Sequence, residues 1–224
     1  MSRLVAAGCV GTAIVAALWA AESPGTAALP VLLVAGALVA AIAAWLETGP
    51  FSAKELAVAA TVGGVAAASR LLFAAVPNVK PTTVIVVVAG VALGLRSGVL
   101  VGAIAGFVSD LFLGQGPWTP WHMLAWAGCG AVGALLAPLL RRRLALAAVC
   151  FVLGFAFDFV LDLQGWWSYY PHTLPALAAL VARGLWFDVA HATGNVVFAL
   201  VAGSELRRVL ERYARRLRTE VVWA

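Results

Sequence analysis

The feature that most constrains this chain is a series of apolar runs, each close to the roughly 20 residues that a helix needs to cross a ~30 Å hydrocarbon core. The runs occupy about 4–21, 29–46, 54–75, 82–95, 97–113, 120–139, 144–163 and 175–202. They are continuous in Ala, Val, Leu and Gly, without the alternation of a transmembrane barrel strand. Only 11% of the chain is charged and 63% is hydrophobic, so little polar surface remains for a soluble domain. The expected fold is an all-α polytopic membrane protein. Between the runs lie "ESPGT" (22–26), "ETGPFS" (47–52), "PNVKP" (77–81), "GQGPWTP" (114–120) and "QGWWSYYPHTLP" (164–175), all rich in turn formers. The boundary at "LRSG" (95–98) is the shortest.

The basic residues orient these spans. With residue 1 in the cytoplasm, twelve of the fifteen Lys and Arg fall on the inner side: Arg3, Lys54, Arg96, Arg141, Arg142, Arg143, Arg207, Arg208, Arg212, Arg215, Arg216 and Arg218. Outer loops hold only Lys80, and Arg70 and Arg183 lie within spans. Both termini are therefore expected in the cytoplasm of a multi-pass cell-membrane protein. A signal-peptide reading of the first run would leave seven spans in the same orientation. The net charge of +5 reflects this placement, and nucleic-acid binding is not expected. Cys9, Cys129 and Cys150 lie in apolar runs without paired spacing and read as small core residues, with no metal or disulfide role. From Ser204, a basic amphipathic helix with Leu206, Val209, Leu210, Tyr213 and Leu217 on one face is expected to lie on anionic lipid or to dock a partner.

The charges inside the spans crowd towards the outer side. Arg70, Asp110, Asp158, Asp162, Arg183 and Asp188, with His191, all fall in the outer half. Six such charges facing lipid at mid-depth would cost on the order of 18 kcal/mol, so they must pair or line a wet cavity. Above them lie Trp118, Trp121 and Trp126 around one loop, Trp166, Trp167, Tyr169 and Tyr170 around another, and Trp186. Pro117 and Pro120, with Gly114 and Gly116, make the first loop compact. Aromatic faces on a rigid loop suit the wall of a pocket for a large, flat ligand. Trp118, His122 and Trp126 share helical spacing.

From Glu55 to about Gly203 the chain resembles the substrate-binding S-components of energy-coupling factor (ECF) vitamin transporters. The likeness rests on "AVAATVGGVAAASR" (57–70), "PNVKP", "GVALGLRSGVLVGAIAGFVSD" (90–110) and "GQGPWTPWHMLAW" (114–126). The last is most similar to members associated with cobalamin uptake. The resemblance implies a six-helix core at 53–203, two additional helices within 1–52 and a tail at 204–224. It implies capture of a vitamin or precursor, with cobalamin or another corrinoid as the best candidate, at the extracellular face. The partners implied are a transmembrane scaffold subunit and two cytoplasmic ATPases. Ala59, Gly63 and Ala67, with Ala60, Gly64 and Ala68, match the small-residue surface that meets the scaffold. Substrate contacts are expected from Trp118, Trp121, His122 and Trp126 as the wall, and from Arg70, Asn78, Lys80, Asp110 and Gln115 at the rim. Asp162, Trp166, Trp167, Tyr170, Arg183, Trp186 and His191 are expected to close the far side. No GxxxxGK[ST] loop is present, so energy must come from partners or a gradient. No cofactor and no catalytic residue is expected. The alternatives are a proton- or ion-coupled secondary transporter built on Asp188 and His191, and an intramembrane transferase using Asp158-xxx-Asp162.

Overall fold

A computed structural model describes residues 28–46, 48 and 52–217, with isolated positions between 5 and 16. Those isolated positions are helical, but the extent of the first expected span lies outside the described residues, as do most of 47–51 and residues 218–224. The described residues contain helices and no strand: α1 (Ala28–Leu46), α2 (Ala53–Leu72), α3 (Thr82–Leu93), α4 (Leu95–Leu113), α5 (Thr119–Leu135), the single turn α6 (Ala137–Leu140), α7 (Arg143–Tyr169), α8 (Leu174–Phe198) and α9 (Ser204–Leu217). Four helices are long and apolar enough to cross a membrane, namely 53–72, 95–113, 143–169 and the continuous 174–216. The protein is an all-α membrane protein, and α2–α5 with α7 and α8 form its six-helix body.

Local chemistry explains most boundaries. Ser52 opens α2 with a capping box: its hydroxyl accepts from the Glu55 amide (3.2 Å), and the Glu55 carboxylate accepts from the Ser52 amide (2.8 Å). Between α3 and α4 a single residue, Gly94, makes the break at φ +90°, which a side chain would resist. The expected turn at 164–169 is instead the last part of α7. One glycine does not stop a helix, and the helix ends where Pro171 forces the preceding residue to extend. At the other end of α8, a π-turn over Ala199–Gly203 carries the chain directly into α9. Ser204 is therefore helical and does not cap a separate tail helix.

Helix α3 is the centre of the bundle. Its twelve residues rise only about 18 Å, too little to cross a bilayer alone. Every residue from Thr82 to Gly90 is buried, as befits a helix that is apolar on all sides. Around it, α4 and α5 approach until their backbones touch. A Cβ on Gly102 would lie 2.3 Å from the Trp126 carbonyl oxygen, and one on Gly130 would lie 2.1 Å from that of Gly98. This contact locks the register of α5, which sets His122 beside Asp110. The inward face of α2 is also made of small residues: Ala59, Gly63 and Ala67 are buried against α4, with Ile104 beside Gly63. That half of the expected scaffold-binding surface is internal packing. Ala60 and Ala68 are exposed and Gly64 is half-buried, on the side of α2 that the other described residues leave uncovered.

Candidate functional site

The site begins with the connection between α2 and α3. Asn78 takes a left-handed conformation (φ 56°), which asparagine tolerates better than most residues, and the turn carries its side chain into the bundle. There its Nδ2 donates to Asp158 Oδ2 and to the Phe187 carbonyl, both at 3.0 Å. Two residues on, Lys80 donates to Asn78 Oδ1 and sits over the Phe157 ring, 5.7 Å from its centroid. A cavity of about 240 Å³ lies here, bounded by Arg70, Asn78, Lys80, His122, Phe157 and Asp158, with Phe73, Leu113, Leu161 and Phe187 around them.

Two polar chains support its walls. In the first, Asp110 is buried between Arg70, whose Nη1 donates to Oδ1, and His122, whose Nδ1 donates to Oδ2 at 2.8 Å. Arg70 Nη1 also reaches Ser109 Oγ at 2.7 Å, and its guanidinium stacks over Trp126 at 5.0 Å. With Nδ1 used by Asp110, Nε2 is the His122 nitrogen left for a ligand. In the second chain, Trp126 Nε1 donates to Thr83 Oγ1 (3.2 Å), Thr83 pairs with His191 Nε2 (3.0 Å), and His191 Nδ1 pairs with Asp158 Oδ2 (2.9 Å). Run in that direction, with a neutral His191 donating from Nδ1, every hydrogen in the chain is used. His191 thus has no nitrogen to spare and acts as a buried brace. The rings of Trp126 and Phe157 (centroids 4.5 Å apart) and of His122 and Phe157 (5.8 Å, stacked) fill the space between the two chains.

Lys80 is the cation most open to a ligand. Arg70 is neutralised by Asp110, whereas Lys80 is hydrogen-bonded to the neutral Asn78. Burial pulls its ammonium from 10.5 down to about 8, and the neighbouring Asp158 carboxylate partly offsets that pull.

The cavity takes in only part of the expected set. Arg70, Asn78, Lys80 and His122 line it, and Asp110, Trp126 and His191 brace it from behind. The aromatic loop does not wall it. Trp118 is 42% exposed and folds back over Gly116, its Nε1 donating to the Gly114 carbonyl (3.3 Å), and Gln115 is exposed beside it. Trp118 stands at the start of α5, beyond the turn where His122 and Trp126 meet the bundle. Trp121 points to the other side of α5. With Trp166, Trp167, Gln164 and His172 it lines a separate hollow of about 440 Å³. Tyr170 is exposed past the end of α7, Arg183 is exposed on α8, and Trp186 is 83% exposed. The rotation of α8 turns 183 and 186 outwards and Asp188, His191 and Asn195 inwards. Asp162 does not line the cavity. It stands near Asp188 about Gly184, and its Oδ2 is buried without a hydrogen-bond partner.

Asp158 and Phe157 are the residues that a sequence reading of the site passes over. Asp158 stands one turn before Asp162, and both spacings are helical, so only the facing of α7 separates a wall residue from a neighbour. Among the described residues no group of three or more His, Cys, Asp or Glu is arranged to hold a metal ion.

A bundle of apolar helices long enough to cross a membrane, with a polar, aromatic-floored cavity at one end, defines an all-α membrane protein. The chain belongs to a family of unknown function, DUF6580, which matches residues 51–215. That match spans the six-helix body and most of α9, and leaves out α1. No curated protein and no solved structure matches the chain.

Proposed function

We propose that the protein is the substrate-capturing membrane subunit of an ECF-type importer, taking up a small vitamin-like molecule from the extracellular side. The observation that carries this reading is the cavity beneath the "PNVKP" connection, which offers the Lys80 ammonium, held by Asn78, and the His122 Nε2 acceptor beside the Phe157 ring. Its side of the bundle lies opposite the arginine-rich turn at 141–143 and the basic α9, so the positive-inside rule puts it outside the cell. Both termini then lie in the cytoplasm of the cell membrane. Transport requires a scaffold subunit and two ATPases, and the outward Ala60, Gly64 and Ala68 face of α2 is available for close helix contact.

The chemistry of the lining narrows the ligand. The Lys80 ammonium suits a carboxylate or phosphate, His122 Nε2 accepts from a ligand N–H or hydroxyl, and Phe157 suits a single flat ring system. At about 240 Å³ the cavity is far smaller than a corrinoid, which favours a one- or two-ring vitamin over cobalamin. The test is tryptophan fluorescence of the full-length protein in detergent, titrated with a panel of acidic flat vitamins and with cobalamin, since Trp126 touches the cavity floor. Saturable quenching that Lys80→Met abolishes supports the reading. No saturable response to any member of the panel defeats it. A second reading, proton-coupled transport, draws on Asp162 and Asp188, and predicts uptake by the isolated subunit driven by a pH gradient.

A further inference from the structure

At the opposite end of the bundle, α9 continues from α8 and packs against α3. Leu210 is buried there in the main core, and Leu206 packs against that core. This packing brings two arginine-rich segments together: Arg207 Nη1 donates to the Arg141 carbonyl at 2.7 Å. Between them lies a pocket of about 480 Å³, lined by Arg141, Arg207, Glu211 and Arg215 over a floor of Val91, Ala92 and Ala214. Three guanidinium groups face one carboxylate. Glu211 stands 3.7 Å from Arg207 Nε, beyond hydrogen-bond reach, and that nitrogen has no hydrogen-bond partner. The lining is therefore a cationic recess with an incomplete internal pair, held in place by a backbone anchor.

We propose that this pocket binds the phosphate headgroup of an anionic membrane lipid. Guanidinium groups at more than one angle match the tetrahedral oxygens of a phosphate, and Arg makes such contacts bidentate. The apolar floor favours a lipid over a free phosphate, because Val91, Ala92 and Ala214 put apolar surface directly beside the charged lining. A headgroup bound here clamps α9 to the 141–143 turn. This site is independent of ligand capture at the far end.

The test is native mass spectrometry of the full-length protein released from micelles containing equimolar phosphatidylglycerol and phosphatidylcholine. The wild type should retain phosphatidylglycerol with about tenfold preference. Arg207→Gln with Arg215→Gln should remove that preference. Glu211→Gln, which deletes the only carboxylate of the lining, should strengthen it and does not depend on a destabilised fold. Arg208→Gln with Arg212→Gln, outside the pocket on the same helix, should leave it in place. Equal retention of both lipids overturns the proposal. So does an equal loss in the Arg208/Arg212 variant, which would mean diffuse attraction to a basic helix. Displacement of the lipid by an equal concentration of inorganic phosphate would assign the site to a soluble anion instead.

Discussion

Helix α5 separates two hollows of opposite character. On one side His122 and Trp126 back a cavity of about 240 Å³ with four ionisable side chains in its lining. On the other, Trp121 joins Trp166 and Trp167 around a hollow of about 440 Å³ whose polar groups are Gln164 and His172. The larger space has the tryptophans, and the smaller has the chemistry. Gln164 is engaged by Ser168 (3.1 Å) and His172 by the Trp167 carbonyl (3.0 Å), so the buried, partnerless Trp121 indole N–H is the unspent donor of a lining that holds no Asp, Glu, Lys or Arg. Volume and aromatic content mark a place where a flat group can lie. Charged side chains such as Lys80 mark a place where a particular ligand is selected.

The sharpest way to break this contrast is to remove the charge that organises the cavity. Asp110→Ala strands the Arg70 guanidinium in a buried position and should cost about 3–5 kcal/mol, read as a lower thermal midpoint in detergent. Retained stability would mean that the pair is not formed in the folded protein. Next in size is the effect of Lys80→Met on ligand affinity, a loss of tenfold or more, while the protein itself should not become less stable because burial of the ammonium is unfavourable.

Titration sharpens the same point with opposite signs in two measurements. Lys80 is depressed to about 8 from 10.5, so between those values the unfolded chain binds the proton and the folded chain does not. Stability of the ligand-free protein should therefore rise from pH 8 to 10.5, whereas affinity for an acidic ligand should fall over the same range. Lys80→Met should flatten both profiles. The smallest effect belongs to the hollow: Trp121→Phe with Trp167→Phe should change affinity for that ligand by less than about twofold, since neither ring borders the cavity. A tenfold loss would move the site across α5.

Much of the architecture was legible before any coordinates. Apolar runs of fixed length, interrupted at "PNVKP" and "GQGPWTP", marked the helices because lipid leaves the backbone no other way to satisfy its hydrogen bonds. Arg70, Asn78, Lys80 and His122 stood out because charged and polar groups among apolar residues need a reason to be there. The errors share one cause. Trp186 and His191, or Asp162 and Asp158, lie close together in the chain, and composition cannot say which of them turns inwards. On an amphipathic surface helix the polar face announces itself, but in a membrane helix both faces are apolar and that signal is absent.

What the amino-acid sequence determined by itself is the class of fold, the order of its helices, and the gathering of charge at one end and arginine at the other. These follow from transfer free energies and turn chemistry, which are local. The tertiary structure alone decided that the aromatic loop stands apart from the cavity, that Asp158 rather than Asp162 lines it, and that half of the small-residue stripe on α2 is internal. Those outcomes depend on how far each helix is rotated about its own axis. That rotation is set where backbones meet, at contacts such as Gly102 with Trp126 and Gly130 with Gly98, between residues far apart in the chain.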